Sequence, residues 1–218
     1  MLTLELPVGE LTVLCLGAHP DDVEIGCGGT LLELAARRGT TLSTVVLTAA
    51  SEERRREALA AGPRFFPGAD VTVLDLPESR LPQHWGAVKD ALEDLSRRCR
   101  PDLVFAPRTD DAHQDHRLIG QLASTVWRDT LLLHYEIPKW DGDLRPSTHY
   151  VAVSEQNARR KVELLGSSYP SQQHRDWWDD EVFLGLMRLR GMESRGRYAE
   201  GFVAAKVLLG LASGSGRP

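Results

Sequence analysis

Between residues 11 and 135 the hydrophobic period switches repeatedly between that of a strand and that of a helix. That alternation restricts the fold more than any other feature of the chain. Residues 11–17 (LTVLCLG) are a short apolar run ending in glycine, the pattern of a buried strand. Residues 26–38 (GCGGTLLELAARR) start in glycines and continue as helix, and 41–48 (TLSTVVLT) are β-branched and strand-like. Residues 52–62 (EERRREALAAG) read as a helix with acids first and Gly62 as its stop. A third strand is predicted at 70–76, a helix at 83–98 with apolar positions at Trp85, Val88, Leu92 and Leu95, and a fourth strand at 102–106. A helix at 116–127 and a fifth strand at 131–135 follow. This order implies an α/β fold, a doubly wound, mostly parallel sheet with helices on both faces. After residue 136 the pattern changes. Residues 138–148 are rich in Pro, Gly and Asp and read as a loop, 149–153 (HYVAV) as a strand, and 155–166 and 178–190 as helices. A smaller C-terminal α+β extension is therefore expected, within a single domain over 1–212, followed by a flexible Gly/Ser-rich tail at 213–218.

Composition narrows the function. Lys and Arg number 26 against 31 Asp and Glu, a formal net charge of −5, which argues against a dedicated nucleic-acid binder with its basic stripe. No run approaches the ~20 apolar residues of a membrane span. The start of the chain lacks a basic n-region and is interrupted by Glu5, Pro7 and Glu10, so it does not read as a secretory signal. Three widely spaced cysteines, Cys15, Cys27 and Cys99, make neither a disulfide framework nor a thiolate zinc site, and point to a reducing, cytoplasmic setting.

Polar chemistry concentrates in two segments. The first, Ala18-His19-Pro20-Asp21-Asp22-Val23-Glu24-Ile25-Gly26-Cys27-Gly28-Gly29-Thr30, begins where the first strand ends. The second, Pro107-Arg108-Thr109-Asp110-Asp111-Ala112-His113-Gln114-Asp115-His116-Arg117, follows the fourth strand. In open α/β sheets ligands sit beyond the carboxyl ends of strands, where the strand order reverses. If the first and fourth strands are neighbours across that reversal, the two loops meet over one crevice. Their union supplies His19, Asp22 and His116, and two imidazoles and a carboxylate with a position left for water describe a catalytic zinc site. Each segment alone also has a plainer reading. His-Pro-Asp-Asp suits a turn and a helix N-cap, and His-x-x-His suits a loop and a solvated helix start. The glycines do not complete a Gly-x-Gly-x-x-Gly fingerprint, since Gly26 and Gly28 are followed by Leu31 where the third glycine would fall. They read instead as letting the helix approach the metal loop. An acid at Glu24 suits the start of that helix and an anchoring role behind the metal loop.

The two segments resemble the paired signatures of the PIG-L/LmbE-like family of zinc-dependent N-acetylglucosamine deacetylases. The first matches Ala-His-Pro-Asp-Asp-x-Glu-x-x-x-Gly-Gly-Thr throughout, and the second Asp-x-His-x-Asp-His, with Gln114 where proline is commoner. Weaker similarity extends over RRREA at 54–58, LDLPESRLP at 74–82, Tyr169-Pro170-Ser171-Gln172 and Tyr198-Ala199-Glu200-Gly201-Phe202. The resemblance implies a Rossmann-like fold, a tendency to homo-oligomers, and removal of acetate from an acetamido sugar. It implies that His19, Asp22 and His116 are ligands of Zn²⁺ or, equally suited to them, Fe²⁺. It makes Asp21 the general base, His113 the group assisting the oxyanion or leaving group, and Asp115 the carboxylate that orients His113 and raises its pKa. Arg54 matches an arginine of the substrate pocket, although the triplet Arg54-Arg55-Arg56 by itself reads as a solvated helix face. The partner implied is a small acetylated amino sugar or glycoside. Trp140, Trp177 and Trp178 offer surfaces for a sugar, but packing is the plainer role for each. A metal-dependent hydrolase of a non-sugar amide and a non-catalytic nucleotide-binding module remain as alternatives.

Overall fold

A computed structural model describes residues 3–209; the tail expected at 213–218 lies outside them. Strands β1 (Leu11–Gly17), β2 (Thr40–Thr48), β3 (Asp70–Leu76), β4 (Leu103–Pro107), β5 (Leu131–Tyr135), β6 (His149–Val153) and β7 (Tyr198–Ala204) form one sheet in the order β3-β2-β1-β4-β5-β7-β6. The first five are parallel, and β7 runs antiparallel to both β5 and β6. The extension thus adds its strands to the edge of the same doubly wound sheet. Every residue of β4 is buried, and all but one of β1, which is why these central strands read as unbroken apolar runs.

Among the described residues six α-helices cover the sheet: α1 (Asp22–Ala35), α2 (Glu52–Phe65), α3 (Trp85–Arg98), α4 (Gln114–Val126), α5 (Glu155–Ser168) and α6 (Asp180–Glu193). Side chains along a strand alternate between faces. Val13 and Cys15 of β1 accordingly join one apolar layer with residues of α1, α5 and α6, while Leu14 and Leu16 join the other with residues of α3 and α4. Among the described residues no helix is long and apolar enough to cross a membrane.

Most element ends fall within a few residues of those read in the sequence, and three larger differences have a structural cause. Helix α1 starts at Asp22 rather than at residue 26, because Asp21 turns the chain sharply at φ 95°. It is then broken at Cys27 (φ −140°, ψ 18°), and the break leaves backbone groups without helical partners. Lys161 Nζ donates to the Ile25 carbonyl at 2.6 Å, and Glu200 accepts from the amides of Gly29 and Thr30 at 2.8 and 2.6 Å. Lys161 and Glu200 pair with each other at 2.7 Å, both buried. The glycines of α1 do not face the metal loop. A Cβ on Gly26 would stand 2.1 Å from the Tyr135 ring, so this glycine lets α1 close on β5. Helix α2 runs through Gly62 to Phe65, because Gly62 packs on Val71 (a Cβ there would meet Val71 Cγ2 at 2.4 Å) rather than ending the helix. Strand β7, finally, was not expected: Glu200 and Gly201 interrupt any alternating pattern in YAEGFVA.

Candidate metal centre

Strand β1 lies between β2 and β4, so the loops leaving β1 and β4 open onto the crevice where the strand order reverses. The β1 loop is folded on itself by Asp22, whose Oδ2 accepts from the amides of Ala18 and His19, each at 2.8 Å. From the β4 side, His116 lies in the first turn of α4, which His113 caps. Residues 97 apart in sequence then meet: His19 Nδ1 lies 3.1 Å from His116 Nε2. The Asp22 carboxylate adjoins both through different oxygens, Oδ2 3.5 Å from His19 Nδ1 and Oδ1 3.3 Å from His116 Nε2. A tetrahedral ion with bonds of ~2.0–2.1 Å needs ligand atoms about 3.3–3.4 Å apart, so this donor set fits a divalent cation. A ring nitrogen of His113 belongs to the same cluster, within 4.8 Å of nitrogens from the other two imidazoles.

The electrostatics explain why these groups converge. Burial opposes charge on His19 and His116, but the Asp22 carboxylate, with Asp115 on His19 and Asp111 on His116, outweighs it; their pKa values rise to about 10 and about 9. Burial likewise opposes the charge on Asp22, and the two imidazoles hold its carboxyl well below the ordinary value. Charge gathered this way in a buried crevice suits a cation that replaces the imidazolium protons.

His19 and His116 each have a carboxylate behind them. Asp115 Oδ2 stands 3.3 Å from His19 Nε2 and accepts from the Ser79 amide at 2.7 Å, while Oδ1 accepts from the Leu81 amide at 3.1 Å. Asp111 Oδ1 lies 3.1 Å from His116 Nδ1, off the line of a well-formed hydrogen bond, and accepts from the His113 amide at 2.7 Å. Lys139 pairs with the same carboxylate at 3.0 Å. Carboxylates in this position fix the ring and its tautomer. Asp111 and Lys139 were not singled out in the sequence, although Asp111 stands inside the second motif.

Asp115 does not orient His113 as the resemblance implies. His113 Nδ1 accepts from the Asp115 backbone N–H at 3.2 Å, and the carboxylate turns away to His19 and the 79–81 segment. The His113 pKa is not raised. Burial, together with the charges of His116 and His19, lowers it to about 4, so the ring is neutral and carries its proton on Nε2.

Asp21 lies between the loop and α2. Arg54 Nη2 donates to its Oδ2 at 2.7 Å and to the Pro20 carbonyl, and Arg54 Nη1 pairs with Glu57 at 2.9 Å. Glu57 in turn accepts from the amide and hydroxyl of Ser171 at 2.9 and 2.6 Å. Arg54 is thus a half-buried bracket on Asp21, lying over the Tyr169 ring at 5.5 Å, rather than a guanidinium free in an open pocket. Burial pushes Asp21 up to about 6 and Asp22 adds to this, against the pull of Arg54. Glu24 is buried behind the loop, and burial pushes it up to about 7. The Tyr169 hydroxyl lies near its carboxyl but outside hydrogen-bonding geometry.

Residues 14–127, more than half of the chain, match the model of a protein family described as PIG-L, GlcNAc-PI de-N-acetylase. The chain belongs to the PIG-L family. It is 30% identical over 137 residues to the uncharacterized deacetylase YaiS of Escherichia coli (strain K12), covering 58% of this chain and 74% of that protein. The PIG-L fold is also seen in the N,N'-diacetylchitobiose deacetylase of Pyrococcus horikoshii, with a TM-score of 0.69, 24% identity and 88% of this chain and 83% of that one covered. GalB, the 4-carboxy-2-hydroxymuconate hydratase of Pseudomonas putida KT2440, shares it with a TM-score of 0.76 at 19% identity, over 93% of this chain and 100% of that one. One fold therefore carries more than one reaction, and function has to be argued from the site.

Proposed function

We propose that this PIG-L protein hydrolyses the N-acetyl group of an acetamido sugar or glycoside, releasing acetate and a free amine. In this reading His19, Asp22 and His116 hold Zn²⁺ or Fe²⁺. The observation that carries it is the meeting of these three residues, 3.1–3.5 Å apart, beside Asp21. A divalent cation held there would lower the pKa of the hydrolytic water and polarise the amide carbonyl. The remaining work falls to the chain itself. With Oδ2 of Asp21 held by Arg54, Oδ1 is the oxygen left to take the proton of the attacking water. With a pKa of about 6, Asp21 is ionised at neutral pH yet basic enough to accept that proton and pass it to the departing amine. The neutral His113 donates from Nε2 and suits an oxygen that gains negative charge, a contribution of the kind worth about 3–4 kcal/mol.

The nucleotide-binding alternative fits less well. Asp22 and Glu24 occupy the first turn of α1, where a phosphate would need backbone N–H groups free of negative neighbours. A non-sugar amide meets the same chemistry and is separated by substrate alone. The test is acetate release from a panel of N-acetylated glycosides by the zinc-loaded protein. Asp21→Asn is expected to keep the metal and lower turnover by about 10²–10⁴-fold. An Asp21→Asn protein as fast as wild type on every glycoside it cleaves would overturn the mechanism.

A further inference from the structure

The tryptophans flagged in the sequence do not share one role. Trp178 is buried against Tyr169, Trp177 and Phe183, with ring centroids 6.0, 5.5 and 5.3 Å apart, and packs as expected. Trp140 is 64% exposed. It is held nonetheless: Nε1 donates to Asp176 Oδ1 at 2.8 Å, and the ring meets Trp177 edge-to-face at 6.0 Å. The indole is ordered before any ligand arrives, which removes much of the entropic cost of binding to it.

Its position links it to both sides of the centre. The loop carrying Trp140 leaves the carboxyl end of β5, the neighbour of β4. Next to it in sequence, Lys139 reaches Asp111, the carboxylate behind His116, and Asp143 of the same loop accepts from the Ala112 amide at 2.6 Å. On the other side, Arg54, which brackets Asp21, lies over Tyr169, and Tyr169 leads through Trp178 and Trp177 back to Trp140. Two separate lines of contact run out from the two halves of the site and end at one exposed indole.

We infer that Trp140, braced by Trp177, is a stacking subsite for a second pyranose ring joined to the acetamido sugar, so that the substrate is a disaccharide or longer glycoside. The subsite rests on the deacetylase reading. A pyranose presents a C–H face to an indole and hydroxyls around its rim, and the exposed Asp176, which holds the indole N–H, offers a carboxylate at the edge of the ring as an acceptor. An acyl chain would find one open face edged with a carboxylate whose burial it could not compensate.

The test compares N-acetylglucosamine with N,N'-diacetylchitobiose on the zinc-loaded protein. Trp140→Ala should lower the disaccharide-to-monosaccharide ratio of kcat/KM by about 2- to 10-fold, through KM, and Trp140→Phe should retain most of it. Saturation-transfer NMR with N,N'-diacetylchitobiose needs no turnover, and should show transfer to the second sugar that Trp140→Ala abolishes. Transfer that depends on Trp140 without any acetate release would keep the subsite and overturn the deacetylase reading. A ratio unchanged in Trp140→Ala, or transfer indifferent to it, overturns the subsite. So does a Trp140-dependent preference for an octyl glycoside of N-acetylglucosamine over the disaccharide.

Discussion

Asp21 has a backbone conformation, φ 95°, that residues other than glycine rarely adopt and that costs on the order of 1–3 kcal/mol. What keeps it there is Arg54, which binds both its side chain and the carbonyl of Pro20. Arg54 therefore acts on the reaction through Asp21. Arg54→Met should lower kcat by about 10- to 100-fold with little change in KM, because a misplaced base affects the transition state and not substrate binding. A rise in KM at constant kcat would instead return Arg54 to the substrate pocket. The carboxylates behind the imidazoles make a second claim at this scale. Burial disfavours the charge on Asp111, but His116 and Lys139 hold its pKa below the ordinary value, so it remains an anion 3.1 Å from the His116 ring nitrogen. Asp111→Asn should weaken metal affinity about 10- to 100-fold, measured by competition with a chelator. Unaltered affinity would remove Asp111 from the site.

Helix α1 carries the first motif, and its interruption at Cys27 ties the metal loop to distant elements. Lys161 of α5 and Glu200 of β7 occupy the gap, satisfying three backbone groups that a continuous helix would have satisfied itself. Removing one member leaves the other charged and buried, which costs about 3–5 kcal/mol. Lys161→Met should therefore lower the unfolding free energy in urea by that order, and Lys161→Met with Glu200→Gln should recover part of it. A single variant within about 0.5 kcal/mol of wild type would mean that the pair is dispensable. The same gap explains what could be read from the sequence and what could not. The central strands β1, β4 and β5 were legible because burial leaves them almost wholly apolar, and β2 and the more exposed edge strand β3 because β-branched residues recur along them. Strand β7 was not, since its central Glu200 looks like a surface residue until the broken helix that needs it is in place. The early start of α1 was only partly legible: His-Pro-Asp-Asp suits a turn and an N-cap, but the turn is left-handed at an aspartate, where glycine would be the obvious sign.

At the scale of the whole molecule, both motifs were visible in the sequence because the strand order that unites them follows from five alternating units. The contacts behind the imidazoles were less visible, because they depend on which way each ring nitrogen points. The Asp115 carboxylate reaches segment 79–81, more than 30 residues away, while its backbone N–H is taken by His113 at the cap of α4. Global stability adds a consequence that belongs to no single element. His134 of β5 is buried between two elements, with Nδ1 2.8 Å from the Pro107 carbonyl of β4 and Nε2 3.4 Å from Ser124 Oγ of α4. Burial lowers its pKa and Arg108 adds to this, against the opposing effects of the Pro107 carbonyl and Asp110, so the folded protein keeps the ring neutral. The unfolded chain takes up that proton near pH 6.5, the folded chain only at lower pH. Below about pH 6.5 the unfolded state therefore binds more protons, and the stability His134 contributes above that pH is lost as the pH falls towards its folded pKa. His134→Asn keeps a donor for the Pro107 carbonyl and does not titrate. Urea unfolding at pH 7.5 and 5.5 should show wild type losing more stability on acidification than His134→Asn. Equal losses would mean that the acid sensitivity of the fold lies with other groups.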